Sequence, residues 1–196
     1  MPNWCSTVIA FWSHKNIVLD DFREDIIRAL EILPIVDNES ENWQGRVSRY
    51  FDSSAKGERG FIQDISPIEE TWSEGHVRYY FTISQEDAWA PHTDMWYGIL
   101  SETEHNISME YTAEEPGCRV YVNTDTEGIF FPDRYLCDCD IGCEYFSAEG
   151  DLIERLKEID GSFKDCGSIR QAQFIADKLV EEKKYDWFVI EEFQDS

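Results

Sequence analysis

Apolar residues fall along the chain in two rhythms. One repeats every second residue, as a half-buried strand requires; the other repeats every three to four, as an amphipathic helix requires. Residues 4–12, Trp4 to Trp12, are rich in β-branched and aromatic types and read as a strand. Asp20 and Asp21 then offer helix caps, and Asp21 with Glu24 has capping-box spacing. Phe22, Ile26, Leu30 and Leu33 follow at helical spacing, with Pro34 as the stop. Val77, Tyr79, Phe81 and Ile83 alternate as a second strand, and Ile107, Met109 and Tyr111 as a third. Between these two, Pro91 suits a first helical turn ahead of Met95, Ile99 and Leu100.

Residues 35–75 show neither rhythm. Turn formers (Asn38, Gly45, Gly57, Gly60, Pro67) mix with isolated large apolar groups, which predicts an irregular insertion with one short strand near Phe61 to Ile65. Glu115-Pro116-Gly117-Cys118 predicts a type II turn with Gly117 at positive φ, and Val120 and Val122 form the return strand. Ile129 to Cys137 reads as a further strand, with Pro132 marking a bulge or an edge. Leu152, Ile153, Leu156 and Ile159 then form a helix stopped by Gly161. Ser168 and Gln171 cap a second helix carried by Ile169, Ala172, Ile175, Ala176 and Leu179. Trp187 to Ile190 closes the chain as a strand.

The order predicts an α+β protein. Residues 1–146 form a ferredoxin-like split βαβ domain with an antiparallel sheet and an insertion at about 35–75, and residues 147–196 a C-terminal α-α-β extension.

Charge changes the picture. The 196 residues carry 41 acids against 17 bases, a net −24, and with 14% aromatics the chain is no acidic disordered tail. Such a charge repels lipid and nucleic-acid phosphate, so direct nucleic-acid binding is disfavoured and a basic protein partner favoured. No apolar run reaches membrane-spanning length and the start lacks a secretory signal, so the six cysteines read as reduced thiols in a cytoplasm.

Candidate chemistry is thin. Cys137, Cys139 and Cys143 are the densest cluster, but Cys-x-Cys-x₃-Cys is off the zinc pattern, and in a strand Cys137 and Cys139 share a face as small buried residues do. His14, His76, His92 and His105 stand in no nucleophile motif, and Lys56-Gly57-Glu58-Arg59-Gly60 lacks Walker spacing. The chain is therefore read as non-catalytic, with no metal and no cofactor. The tryptophans lack the basic groove that base stacking needs, and Trp4, Trp12, Trp89 and Trp187 read as core.

Three blocks resemble the YubB-like proteins of phages and plasmids. They are Met1-Pro2-Asn3-Trp4-Cys5, Ala88-Trp89-Ala90-Pro91, and Tyr111 to Cys118 with its Glu-Glu-Pro-Gly turn; Phe130 to Tyr135 looks like the family's following strand. Ser6 stands where the family has Asn. The resemblance implies a ferredoxin-like domain and a mobile-element origin, and carries no established activity.

The acids are unevenly spread. Residues 99–160 carry 16 acids and 4 bases, half of the net charge. The plain reading is a solubilising coat. The sharper expectation is a nucleic-acid-like surface of exposed turn and strand-end carboxylates, Glu114, Glu115, Asp138, Asp140 and Glu144, that occupies the groove of a basic host protein. That makes the chain an inhibitor of a nucleic-acid-directed defence, anti-CRISPR or anti-restriction. The alternatives are a metal-binding or enzymatic accessory using Cys137, Cys139 and Cys143, or a housekeeping module of the mobile element. Averaged over the roughly 9,600 Å² expected for this mass, the charge is about fourfold more dilute than on duplex DNA, so mimicry requires local gathering.

Overall fold

The computed structural model describes residues 3–35, 40–53, 59–103 and 106–195. Asn38, Gly57 and His105 lie outside the described residues. The chain is α+β, with two antiparallel sheets, and divides into two compact units, Met1–Val120 and Tyr121–Ser196.

The first unit holds β1 (Trp4–Ser13), α1 (Asn16–Ile32), α2 (Gln44–Tyr50), β2 (Gly60–Ile65), β3 (Glu69–Ser73), β4 (His76–Ala88), α3 (Asp94–Glu102) and β5 (Ser108–Glu115). The strands run in the order β2-β4-β1-β5, each antiparallel to its neighbour, and β3 also pairs with β4. Alternation decides which face is core. Cys5, Thr7, Ile9 and Phe11 on β1 are buried, and Phe11 lies opposite Phe81 on β4 and Met109 on β5. From α1, Phe22 meets the Phe11 ring at 5.5 Å; from α3, Trp96 meets it at 5.1 Å. Leu19, Phe22, Ile26 and Ala29 all have 0% exposure, the single buried stripe of a helix on a sheet.

Several local expectations are corrected. The first helix begins at Asn16, so Asp21 and Glu24 lie inside it; Lys15 is the cap residue and makes no side-chain cap bond. Burial of Leu19 extends the helix toward its N-terminus past the acids that looked like caps. The 35–75 stretch contains the expected strand, now β2, and also α2 and β3. Helix α2 is held by Arg46, 2% exposed, which donates to the Leu33 and Glu41 carbonyls. Pro91 precedes its helix, whose N-cap is Thr93.

The Glu115 turn also differs from its expected form. Pro116–Cys118 is a 3-10 turn, and the left-handed residue is Arg119, φ 56°, not Gly117. Gly117 instead sits against side-chain ends. A Cβ there would lie 2.7 Å from Asn3 Nδ2 and 2.9 Å from Glu115 Oε1.

Strand β6 (Val120–Asn123) spans the division between the units. In the second unit β7 (Tyr135–Cys139), β8 (Gly142–Phe146) and β9 (Phe188–Glu192) form a sheet in the order β8-β7-β9, with α4 (Glu149–Ile159) and α5 (Ile169–Glu181). The expected boundary at 146/147 thus moves to 120/121, because β7 pairs with β9 and residues 135–146 belong with the C-terminal helices. Leu152, Leu156, Phe163, Ala172 and Ala176 are fully buried in this core. Ser168 caps α5 as expected, its side chain accepting from the Gln171 amide.

Residues 129–134 are not a strand. Side chains replace a ladder there. Asp125, 3% exposed, accepts from the Phe130 and Phe131 amides at 2.6 and 2.8 Å, while Asn123 Nδ2 donates to the Phe131 and Asp133 carbonyls. Arg134 donates to the Asn123 and Asp125 carbonyls.

Candidate functional site

Antiparallel pairing brings the start of β1 and the ends of β4 and β5 to one end of the first sheet. Trp4 lies opposite Ala88, and Ser6 opposite Glu114. The described residues of the three motif blocks, from Asn3 onward in the first, therefore meet there. The Trp89 amide donates to the Asn3 carbonyl at 2.9 Å, and Asn3 Nδ2 donates to Cys118 Sγ at 3.8 Å. Trp89 holds φ 74°, which a bulky residue adopts only when its surroundings impose it. Trp4 and Trp89 are 44% and 47% exposed, so neither is the core residue expected, and Trp187 at 47% is a third. The Trp4 ring packs on Phe61 at 5.6 Å.

Beneath this end lies a buried polar network. Asp87, 0% exposed, accepts from the Thr7 hydroxyl at 3.0 Å, Gln44 Nε2 at 2.6 Å, Gln85 Nε2 at 2.7 Å and the His92 amide at 3.1 Å. Trp96 Nε1 donates to Gln85 Oε1 at 3.0 Å, tying α3 into it. Gly60 admits the network, since a Cβ there would overlap both Gln44 Nε2 and Asp87 Oδ1. Sequence reasoning missed Asp87. Its one signal was parity: Gln85 and Asp87 continue the buried positions of Phe81 and Ile83.

The five carboxylates proposed for partner recognition fall in both units, Glu114 and Glu115 in the first and Asp138, Asp140 and Glu144 in the second. Exposure was expected of all of them, and Glu115 departs from it most, at 3%. It accepts from the Gly117 and Cys118 amides, and the Cys118 thiol, those amides and Asn3 hold its carboxyl below the usual carboxylate range. Glu144 is gripped by Arg155 through Nε at 3.0 Å and Nη2 at 2.6 Å, which likewise lowers its carboxyl. Asp140 is exposed and accepts from the Asp186 and Trp187 amides; half-buried Asp138 accepts from Trp187 Nε1 at 3.4 Å. Glu114 is half-buried opposite Ser6. Most of these acids serve turns and strand ends inside their own unit.

The thiols do not converge. Cys137 and Cys139 are buried on one face of β7, as expected, while Cys143 lies opposite Asp138 and so on the other face. Among the described residues no group of three or more His, Cys, Asp or Glu could hold a metal ion. Burial pushes the Cys5 thiol up to about 11 and Cys137 up to about 12, and Glu115 beside it raises Cys118, so none of the three is an activated nucleophile. His14 Nδ1 meets the Val77 carbonyl and His92 Nε2 the Ala88 carbonyl.

One carboxylate gives the second unit a pH response. Burial alone would raise Asp160, but Lys184 at 2.5 Å and the Ser162 amide at 2.8 Å outweigh it and hold the carboxyl at about 2, against 3.8 ordinarily. A depressed carboxyl stabilises the fold above its unfolded value and loses that contribution as pH falls through the folded one. The contribution is about 2 kcal/mol, lost between about pH 4 and pH 2. Urea midpoints across that window are expected to fall more steeply for the native chain than for Asp160→Asn. Parallel curves would sink this account.

Comparison adds no relative: no family model, no curated protein and no solved structure matches the chain.

Proposed function

We propose that the chain is a non-catalytic binding module for a basic, nucleic-acid-binding protein, acting in the cytoplasm of a bacterium that carries a phage or plasmid. On this reading it inhibits a nucleic-acid-directed defence. The observation that carries it is the net charge of −24 on a folded α+β chain. Burial raises the Cys5 and Cys137 thiols and Glu115 raises Cys118, which supports a reading without a thiol nucleophile. Among the described residues no helix is long and apolar enough to cross a membrane.

The first unit is proposed to be ferredoxin-like and YubB-like. Its strand order, with β1 between β4 and β5 and with α1 and α3 packed on one face, supports a split βαβ plan. Meeting of the three motif blocks at one sheet end supports the family.

Recognition on this reading is local. An accessible surface of 11,043 Å² gives about 460 Å² per net charge, well above the roughly 110 Å² of duplex DNA. The test is capture from bacterial lysate on the immobilised chain, then elution by raised salt or by duplex DNA. A basic protein that both agents release is the expected result. A neutral or acidic captured protein, or one that DNA fails to displace, defeats the reading.

A further inference from the structure

One edge of the first sheet is made by β2 and β3 in tandem, pairing with successive halves of β4. The β2 half is blunted. Trp43 bridges Phe61, the Ile62 amide donates to the Asn42 carbonyl at 2.8 Å, the register shifts between Ile62 and Asp64, and Pro67 follows. Bulges, prolines and covering segments are what keep an edge from pairing with another chain.

The β3 half is different. Among the described residues β3 pairs with β4 alone. Its turn, Glu74-Gly75, has φ 52° and 81°, the two positive values of a tight hairpin turn, so the ladder runs unbroken from Glu69 to Ser73. Trp72 is 70% exposed. Strand alternation puts Glu70 on its face, and the register puts Val77 and Tyr79 beside them. Acids alone on an edge are explained as protection against aggregation. Trp72 shares its face with Val77 and Tyr79, so the edge carries an aromatic and aliphatic patch among its acids, and Trp and Tyr are among the residues enriched at binding hot spots.

We infer that β3 is the docking edge for an extended, arginine- or lysine-bearing segment of the partner, resting on the basic-partner reading above. The segment adds a strand to β3 through main-chain hydrogen bonds. Its cationic side chains lie over the Trp72 ring and face Glu70 and Glu74. A second copy of this chain is the poorer occupant, because it would set Glu69, Glu70 and Glu74 against the same carboxylates at a net −24 on each molecule.

The probe is a synthetic peptide of about eight alternating arginines and valines, a usual strand length, with a glutamate-for-arginine peptide as control. It is titrated calorimetrically into the full chain, into Trp72→Ala, and into the double variant Glu70→Lys, Glu74→Lys. Circular dichroism checks that each variant is folded. The native chain is expected to bind the arginine peptide alone and to gain amide-exchange protection over 69–73. Trp72→Ala is expected to weaken binding about tenfold or more, and the double reversal to abolish it. Undiminished binding by folded Trp72→Ala overturns the edge assignment and leaves the basic-partner reading standing. No binding by the native chain overturns the edge assignment, and the basic-partner reading is then decided by the lysate capture above. A native dimer in sedimentation that Trp72→Ala dissolves assigns the edge to a second copy instead and overturns the proposal.

Discussion

Replacing Asp87 by alanine is expected to lower the unfolding free energy by about 3–5 kcal/mol, a large single-site loss that comes from breaking a buried hydrogen-bond network. Four donors lose their acceptor at once: the Thr7 hydroxyl, the Gln44 and Gln85 amides and the His92 backbone N–H. Thr7, Gln44 and Gln85 are at most 1% exposed, so water does not replace the carboxylate. Each orphaned donor costs about 1–3 kcal/mol. The donors that hold Asp87 are neutral, so removing a buried charge offsets part of that sum. Asp87→Asn keeps one oxygen but turns an NH₂ toward donors, so a smaller loss of about 2 kcal/mol is expected. Urea unfolding measures both. A shift below about 1 kcal/mol for Asp87→Ala would show that the network is not what joins β1, α2 and β4.

The second large effect lies in the other unit. Phe163 sits in the 3-10 turn Gly161–Phe163 that follows α4, is 0% exposed, and packs its ring 5.4 Å from Phe188. Phe163→Ala is expected to cost about 3–5 kcal/mol through lost burial and the cavity left behind. Phe174 on α5 is the control. It is 60% exposed, with Lys178 Nζ 4.5 Å from its ring, and Phe174→Ala is expected to change stability by about 0.5 kcal/mol or less. Thermal melts of the pair decide the matter, and comparable losses would mean that the second core is placed wrongly.

These residues mark what each level of organisation decided. Phe174 falls outside the apolar stripe of Ala172, Ile175, Ala176 and Leu179, and that is legible in the sequence because a helix repeats every 3.6 residues. The strands at Trp4, Val77, Ile107 and Trp187 and the Ser168 cap were legible for the same reason: periodicity and capping are set by residues within a few positions of one another. Strand β3 and helix α2 were not, since β3 alternates around charged residues and α2 depends on Arg46 reaching the Leu33 carbonyl.

Charge was legible as an amount and not as an arrangement. Composition set −24, but which acids are spent inside the fold depends on donors that the sheets bring near. Glu115 looked like an exposed turn carboxylate and instead caps its own 3-10 turn, with Asn3 arriving from the other end of the unit. Asp87 looked like one more acid and became the hub of a network whose members lie 80 and 43 residues away in Thr7 and Gln44. The boundary between the units moved for the same reason, since the pairing of β7 with β9 joins residues about 50 positions apart. Local repetition determines where strands and helices form. Contacts across long stretches of chain decide which polar groups are buried, satisfied or left facing a partner.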